Sequence, residues 1–118
     1  MGSHPERSVG LILDTNFLIS FERETRRRSA GAAVAFLSSH TGEGIYVPFI
    51  VAGEFACGRP ATESDWLRLL SHFKILPWKI EISWKYGEIY NDLAAQGTPI
   101  GPNDLWIAAT ALVNGMPL

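Results

Sequence analysis

Val9-Gly10-Leu11-Ile12-Leu13-Asp14-Thr15-Asn16-Phe17-Leu18-Ile19 is two apolar runs parted by a short polar step. The first run is compact and aliphatic, which predicts a short, fully buried strand over 9–13. Asp14, Thr15 and Asn16 are all helix-capping types, so the second run predicts a helix that begins where the strand stops. Asp14 is thereby expected at the carboxyl end of a strand. In parallel α/β sheets that edge is where ligands bind.

The same alternation continues outward. A helix is predicted from Ser29 to His40, with Ala33, Phe36 and Leu37 on one face, ended by Gly42 and Gly44. Ile45-Tyr46-Val47 reads as a strand, and Pro48 suits the first turn of a helix that carries Glu54 and stops near Gly58-Arg59-Pro60. Thr62 with Asp65 resembles a capping box, and Trp66, Leu69, Leu70 and Phe73 follow at helical spacing. Ile75-Leu76-Pro77 predicts a third strand. A long helix is expected from Ser83 to Gln96, with Trp84, Ile89, Tyr90 and Leu93 inward and Gly97 as its stop. A last helix runs from Pro102 to just before Gly115, and Met116-Pro117-Leu118 reads as a strand barely begun. Strands alternating with helices predict an α/β fold with a mostly parallel central sheet and right-handed crossovers.

At 118 residues, 47% hydrophobic and 19% charged, the chain suits one domain with a real core. Residues 1–8, opening Met1-Gly2-Ser3-His4, read as a disordered or tag-derived start and are set apart from a domain over 9–118. No run reaches the roughly 18 apolar residues of a membrane span, and no signal-peptide core opens the chain. The single cysteine, Cys57, makes neither an internal disulfide nor a zinc cluster, which fits a cytoplasmic protein, and it is expected to pack. A net charge of -2 leaves nucleic-acid binding open, because such binders often concentrate positive charge on one patch. Arg23, Arg26, Arg27 and Arg28 are the candidate patch; a solvated helix turn is the equally good alternative.

Three acids stand where an acid is awkward. Asp14 ends an apolar run, Glu54 lies within Phe49-Ile50-Val51-Ala52-Gly53-Glu54-Phe55-Ala56-Cys57, and Asp104 opens Leu105-Trp106-Ile107-Ala108-Ala109. A carboxylate withdrawn from water needs a partner. No Lys or Arg is near any of them in sequence, so a hard divalent cation is the candidate partner. Asp14 and Asp104 taken singly also read as ordinary helix-start acids, stabilised by the helix dipole. Their joint placement with Glu54 points to a metal site and phosphodiester chemistry.

Leu13-Asp14-Thr15-Asn16, the mid-chain Glu54 and Ile100-Gly101-Pro102-Asn103-Asp104-Leu105-Trp106-Ile107-Ala108-Ala109-Thr110-Ala111 together resemble PIN-domain nucleases, most nearly the VapC-type toxins of bacterial toxin–antitoxin pairs. The resemblance spans Val9 to Leu118. It implies a PIN-like fold and a metal-dependent endoribonuclease in which Asp14, Glu54 and Asp104 hold Mg²⁺ or Mn²⁺. It further implies supporting roles for Asn16 and Thr15 beside Asp14, an RNA substrate, an antitoxin partner and a homodimer. Phe17, Phe21, Phe49 and Phe55 are candidate antitoxin anchors, with core burial equally open to each. Trp84, Tyr86 and Tyr90 are the candidates at a dimer contact. The family usually supplies a fourth acid or polar residue just past the last strand. Here that strand is truncated at Met116-Pro117-Leu118, so weakened metal affinity and activity are expected.

The alternative function is a catalytically weak or inactive PIN-like module that binds RNA or protein. A phospho-acceptor receiver domain is disfavoured, because Ile45-Tyr46-Val47-Pro48 carries no aspartate and no lysine follows Lys85.

Overall fold

The computed structural model describes residues 10–40, 44–58 and 60–116. Its elements run β1 (Leu11–Ile12), α1 (Thr15–Arg27), α2 (Ala32–Ser39), β2 (Ile45–Pro48), α3 (Phe49–Ala56), α4 (Glu63–Leu70), β3 (Lys74–Leu76), α5 (Ile80–Ala95) and α6 (Pro102–Val113). The sheet is parallel throughout, in the order β1-β2-β3, with Leu11 opposite Ile45 and Val47 opposite Ile75. This is the expected α/β architecture. The strand expected at Met116-Pro117-Leu118 lies outside the described residues for Pro117 and Leu118, as do residues 1–8, Val9, Gly42 and Arg59.

The core forms where α1 and α3 meet the sheet. Leu18, Val47 and Val51 have no exposed surface, and Phe55 is almost fully enclosed. Val51 and Phe55 are one helical turn apart on α3 and so share its inner face. Each such side chain contributes about 1.5–3 kcal/mol by leaving water. Phe21 joins this core and meets Phe73 edge-to-face at 5.5 Å. Phe21 and Phe55 are thus interior residues, and the expected anchoring role falls to neither.

Helix ends follow local chemistry. Asp14 caps α1, and Arg28 closes it in the left-handed conformation, with φ 53°. Thr62 accepts from the Asp65 amide at 3.1 Å, as half of the expected capping box. The reciprocal half is missing, because Asp65 turns to Arg68 at 3.1 Å. Gly97 and Gly115, both at φ +69°, end α5 and α6 where their flexible backbones were expected to.

Two expectations change, at Cys57 and along α5, and Trp66 packs only in part. Cys57 is exposed at the end of α3, so it does not pack. Trp66 is half-buried, its ring nitrogen donating to the Ala52 carbonyl at 3.0 Å. On α5, Trp84 and Tyr90 face solvent, 74% and 58% exposed, whereas Ile82 is buried. The helix starts three residues earlier than predicted, and Ile82 sets its inner face. At about 100° per residue, Trp84 is then rotated roughly 200° from Ile82, while Tyr86, Ile89 and Leu93 fall close to it. Tyr86 accordingly packs on Trp106 of α6, with ring centroids 4.4 Å apart.

Candidate metal centre

The carboxyl ends of β1 and β2 hand the chain directly to α1 and α3, and this puts Asp14 and Glu54 at one edge of the sheet. Asp14 sits in extended backbone just before α1 and accepts the Phe17 amide at 2.9 Å. That bond satisfies one of the helix's free N–H groups and fixes the carboxylate at the dipole's positive end. Glu54 is half-buried in the last turn of α3, and Asp104 is an exposed first-turn acid of α6.

Glu54 connects the other two acids through their neighbours. The Thr15 hydroxyl donates to Glu54 Oε1 at 2.6 Å. The Asn103 amide donates to Glu54 Oε2. Thr15 follows Asp14 and Asn103 precedes Asp104, so the N-termini of α1 and α6 both close on the Glu54 carboxylate. Thr15 was expected to support Asp14; its hydroxyl serves Glu54 instead. Asn16 lies with Asp14 along the groove described below.

The three acids share this neighbourhood without forming a finished cage. Among the described residues, no three His, Cys, Asp or Glu side chains stand close enough together to hold one ion. Three unpaired carboxylates repel one another, and here neutral donors hold Glu54 while a backbone amide holds Asp14. The donor set still fits a hard cation. All the candidate ligand atoms are carboxylate oxygens, and each Glu54 oxygen keeps a lone pair beyond its one hydrogen bond. No ion pair to Glu54 occurs among the described residues.

A groove of about 560 Å³ runs from Asp14 between α1 and α2, floored by Leu13, Phe17, Ala33 and Phe36 and edged by Glu24. Phe17 meets Phe36 edge-to-face at 5.6 Å. Glu24 builds the groove wall, because its carboxylate accepts the amides of Gly31, Ala33 and Val34 at 2.8–3.0 Å. The Val34 amide foremost holds the Glu24 carboxyl below its usual range; burial opposes it, and the Ala33 and Gly31 amides with Arg23 add to the lowering. A helix N-terminus is thus capped by a carboxylate from another helix, which local sequence reasoning missed.

The arginine patch is at the opposite end of α1. Arg27 is about 20 Å along the helix from Asp14. Arg26 pairs with Glu22 at 3.1 Å, Arg23 is half-buried, and Arg27 and Arg28 are exposed. Of the histidines, His40 stacks on Phe36 at 4.1 Å and His72 lies edge-to-face with Phe21 at 5.4 Å. Among the described residues neither histidine pairs with a carboxylate, and neither lies at Asp14, Glu54 or Asp104.

A parallel α/β sheet whose first strand leads straight into the Asp14 cap, with Glu54 hydrogen-bonded to Thr15 and Asn103, defines a class of fold and site, and sequence comparison makes it particular. The PIN domain family model matches residues 11–118, and the chain belongs to that family. It is 36% identical to Ribonuclease VapC1 of Rickettsia felis, over 93% of this chain and 83% of that protein. It is 28% identical to Ribonuclease VapC of Rickettsia bellii, with the same coverage. Among solved structures, VapBC2 from Rickettsia felis bound to a DNA fragment from its promoter is similar with TM-score 0.75 at 23% identity, over 92% of this chain and 84% of that one. VapBC-1 from nontypeable Haemophilus influenzae is similar with TM-score 0.67 at 27% identity, over 92% and 83%. At 23% the first of these likenesses speaks to fold alone.

Proposed function

We propose that this chain is a metal-dependent endoribonuclease acting as the toxin of a toxin–antitoxin pair. The observation that carries the reading is the Glu54 carboxylate, bonded at once to the residue after Asp14 and the residue before Asp104. The VapC ribonucleases of the two Rickettsia species support it from sequence.

Asp14, Glu54 and Asp104 would hold Mg²⁺ or Mn²⁺, which when bound supplies a Lewis acid for the phosphate and lowers the pKa of water. Asp14 keeps one oxygen on the Phe17 amide, and the other would serve the ion. Glu54 is held in direction between Thr15 and Asn103. Asp104, exposed and in the first turn of α6, orients the attacking water and takes its proton. Hydrolysis by water leaves a 5′-phosphate. Arg27 and Arg28 contact the RNA backbone away from the scissile bond, and Asn16 supports Asp14.

The antitoxin presents an apolar segment to the groove between α1 and α2 and a basic residue to Asp14. Phe17 and Phe36 are the aromatic contacts available there. A homodimer forms over the outward stripe of α5, where Ile80, Trp84 and Tyr90 are exposed. No described helix is long and apolar enough to cross a membrane, and the working compartment is taken as the cytoplasm.

The test is cleavage of single-stranded RNA with Mn²⁺ and with EDTA. Mn²⁺-dependent cutting with 5′-phosphate ends is expected. Cutting that survives EDTA, or cyclic phosphate ends, overturns the reading. Binding without turnover has one observation in its favour, the separation of the three acids. RNA bound but uncut at saturating Mn²⁺ would decide for it.

A further inference from the structure

We infer that Asn103 is a positioning residue of the acid site, paired with Thr15 in a neutral two-sided clamp that aims Glu54 and ties the helices bearing Asp14 and Asp104 to it. This rests on the metal-site reading above and adds a residue and a division of labour to it.

The chemistry at Glu54 admits one orientation of the clamp. A carboxylate only accepts, so the amide must present its Nδ2–H and the hydroxyl its proton. Each carboxylate oxygen is taken by one donor, so the group can neither rotate about its last bond nor swing along α3 without losing a bond. Both donors are uncharged. A lysine or arginine at either place would hold the carboxylate equally well but would cancel the charge a cation needs. Neutral donors fix direction and leave the charge available.

The clamp also works between elements. Thr15 is the first residue of α1, and Asn103 is the second of α6. The start of α1 is already placed by the pairing of β1 with β2, and these two bonds add a direct link from each helix N-terminus to Glu54. Loss of the Thr15 hydroxyl frees the Asp14 side, and loss of the Asn103 amide frees the Asp104 side. Asn103 is itself exposed, which makes a role in holding up the core a poor explanation for its placement.

Partners that orient a metal ligand typically carry a 10–100-fold effect on affinity. The experiment uses the whole chain with Mn²⁺ alone and no RNA, reading bound metal by electron paramagnetic resonance. Asn103→Ala and Thr15→Val are each expected to weaken Mn²⁺ binding about tenfold in a chain that stays folded. Thr15→Ser is expected to restore it, since it returns the hydroxyl. The double variant should lose less than the two losses multiplied, because both bonds serve one carboxylate. Independently of any metal, the Asn103 side-chain amide resonance should shift on Glu54→Gln and stay in place on Glu81→Gln, a change at an exposed acid of α5. Wild-type Mn²⁺ affinity in both single variants, or an Asn103 resonance indifferent to Glu54, overturns the inference. No Mn²⁺ binding by the wild-type chain, with the resonance shift intact, fails the metal-site reading itself and removes the clamp's role with it.

Discussion

The N-termini of α1 and α6 look alike in sequence, each an aspartate leading into an apolar run, yet they are built differently. Asp14 lies outside its helix, accepts the Phe17 amide and therefore serves folding as well as chemistry. Asp104 lies inside the first turn, behind Gly101 at the cap and Pro102 at the first helical position. Proline there has no N–H to satisfy, so α6 starts without needing the aspartate as a cap. One acid is committed to its helix and the other is free for a ligand or a proton. Both helix starts reach the same Glu54, but through neighbours of opposite sequence direction, Thr15 after its acid and Asn103 before its own.

The largest effect should come from charge removal at either helix start. Asp14→Asn and Asp104→Asn are each expected to cut RNA cleavage by more than about 100-fold, beyond the usual effect of residues that only orient a ligand. Their Tm should stay at the wild-type value, since asparagine caps as well as aspartate. Cleavage left intact in either variant would remove that acid from the site. Phe55→Ala comes next, at about 3–5 kcal/mol of stability in a denaturant titration, because it empties the α3 face on which the α1 end rests. A loss below 1 kcal/mol would mean that α3 is not the shared support.

Alanine separates the two ends more finely. Asp14→Ala should destabilise the fold by about 1 kcal/mol through its lost cap. Asp104→Ala should cost only a few tenths, through the helix dipole alone. Equal losses would erase the distinction. The smallest effect belongs to the groove wall beside Asp14. The Glu24 carboxyl titrates below its usual range when folded, so its contribution is complete above the unfolded value of about 4.3 and disappears as pH falls through the lower folded value. Thermal melts should therefore lose stability more steeply below pH 4.3 in the wild type than in Glu24→Gln. Parallel curves would show that the three amides do not need the charge.

Much of the fold was legible because periodicity and punctuation act locally. The strand before Asp14, the Thr62 cap and the stops at Gly97 and Gly115 each depend on a few adjacent residues. The inner face of α5 was misread because Ile82, the residue that marks it, lies before the predicted helix start; Trp84, roughly 200° round the helix from Ile82, therefore faces outward. Cys57 was misjudged for a similar reason, since one turn at the end of α3 separates packing from exposure.

By itself the sequence determined which residues carry negative charge into apolar surroundings, and the order and kind of the elements, because hydrophobic spacing and capping preference are properties of neighbours along the chain. Only the tertiary structure decided that Asn103 and Thr15 meet on Glu54, and that Glu24 caps a helix beyond its own. Those bonds join positions 39, 49 and up to 10 residues apart, and their partners are chosen by how the helices pack on the sheet.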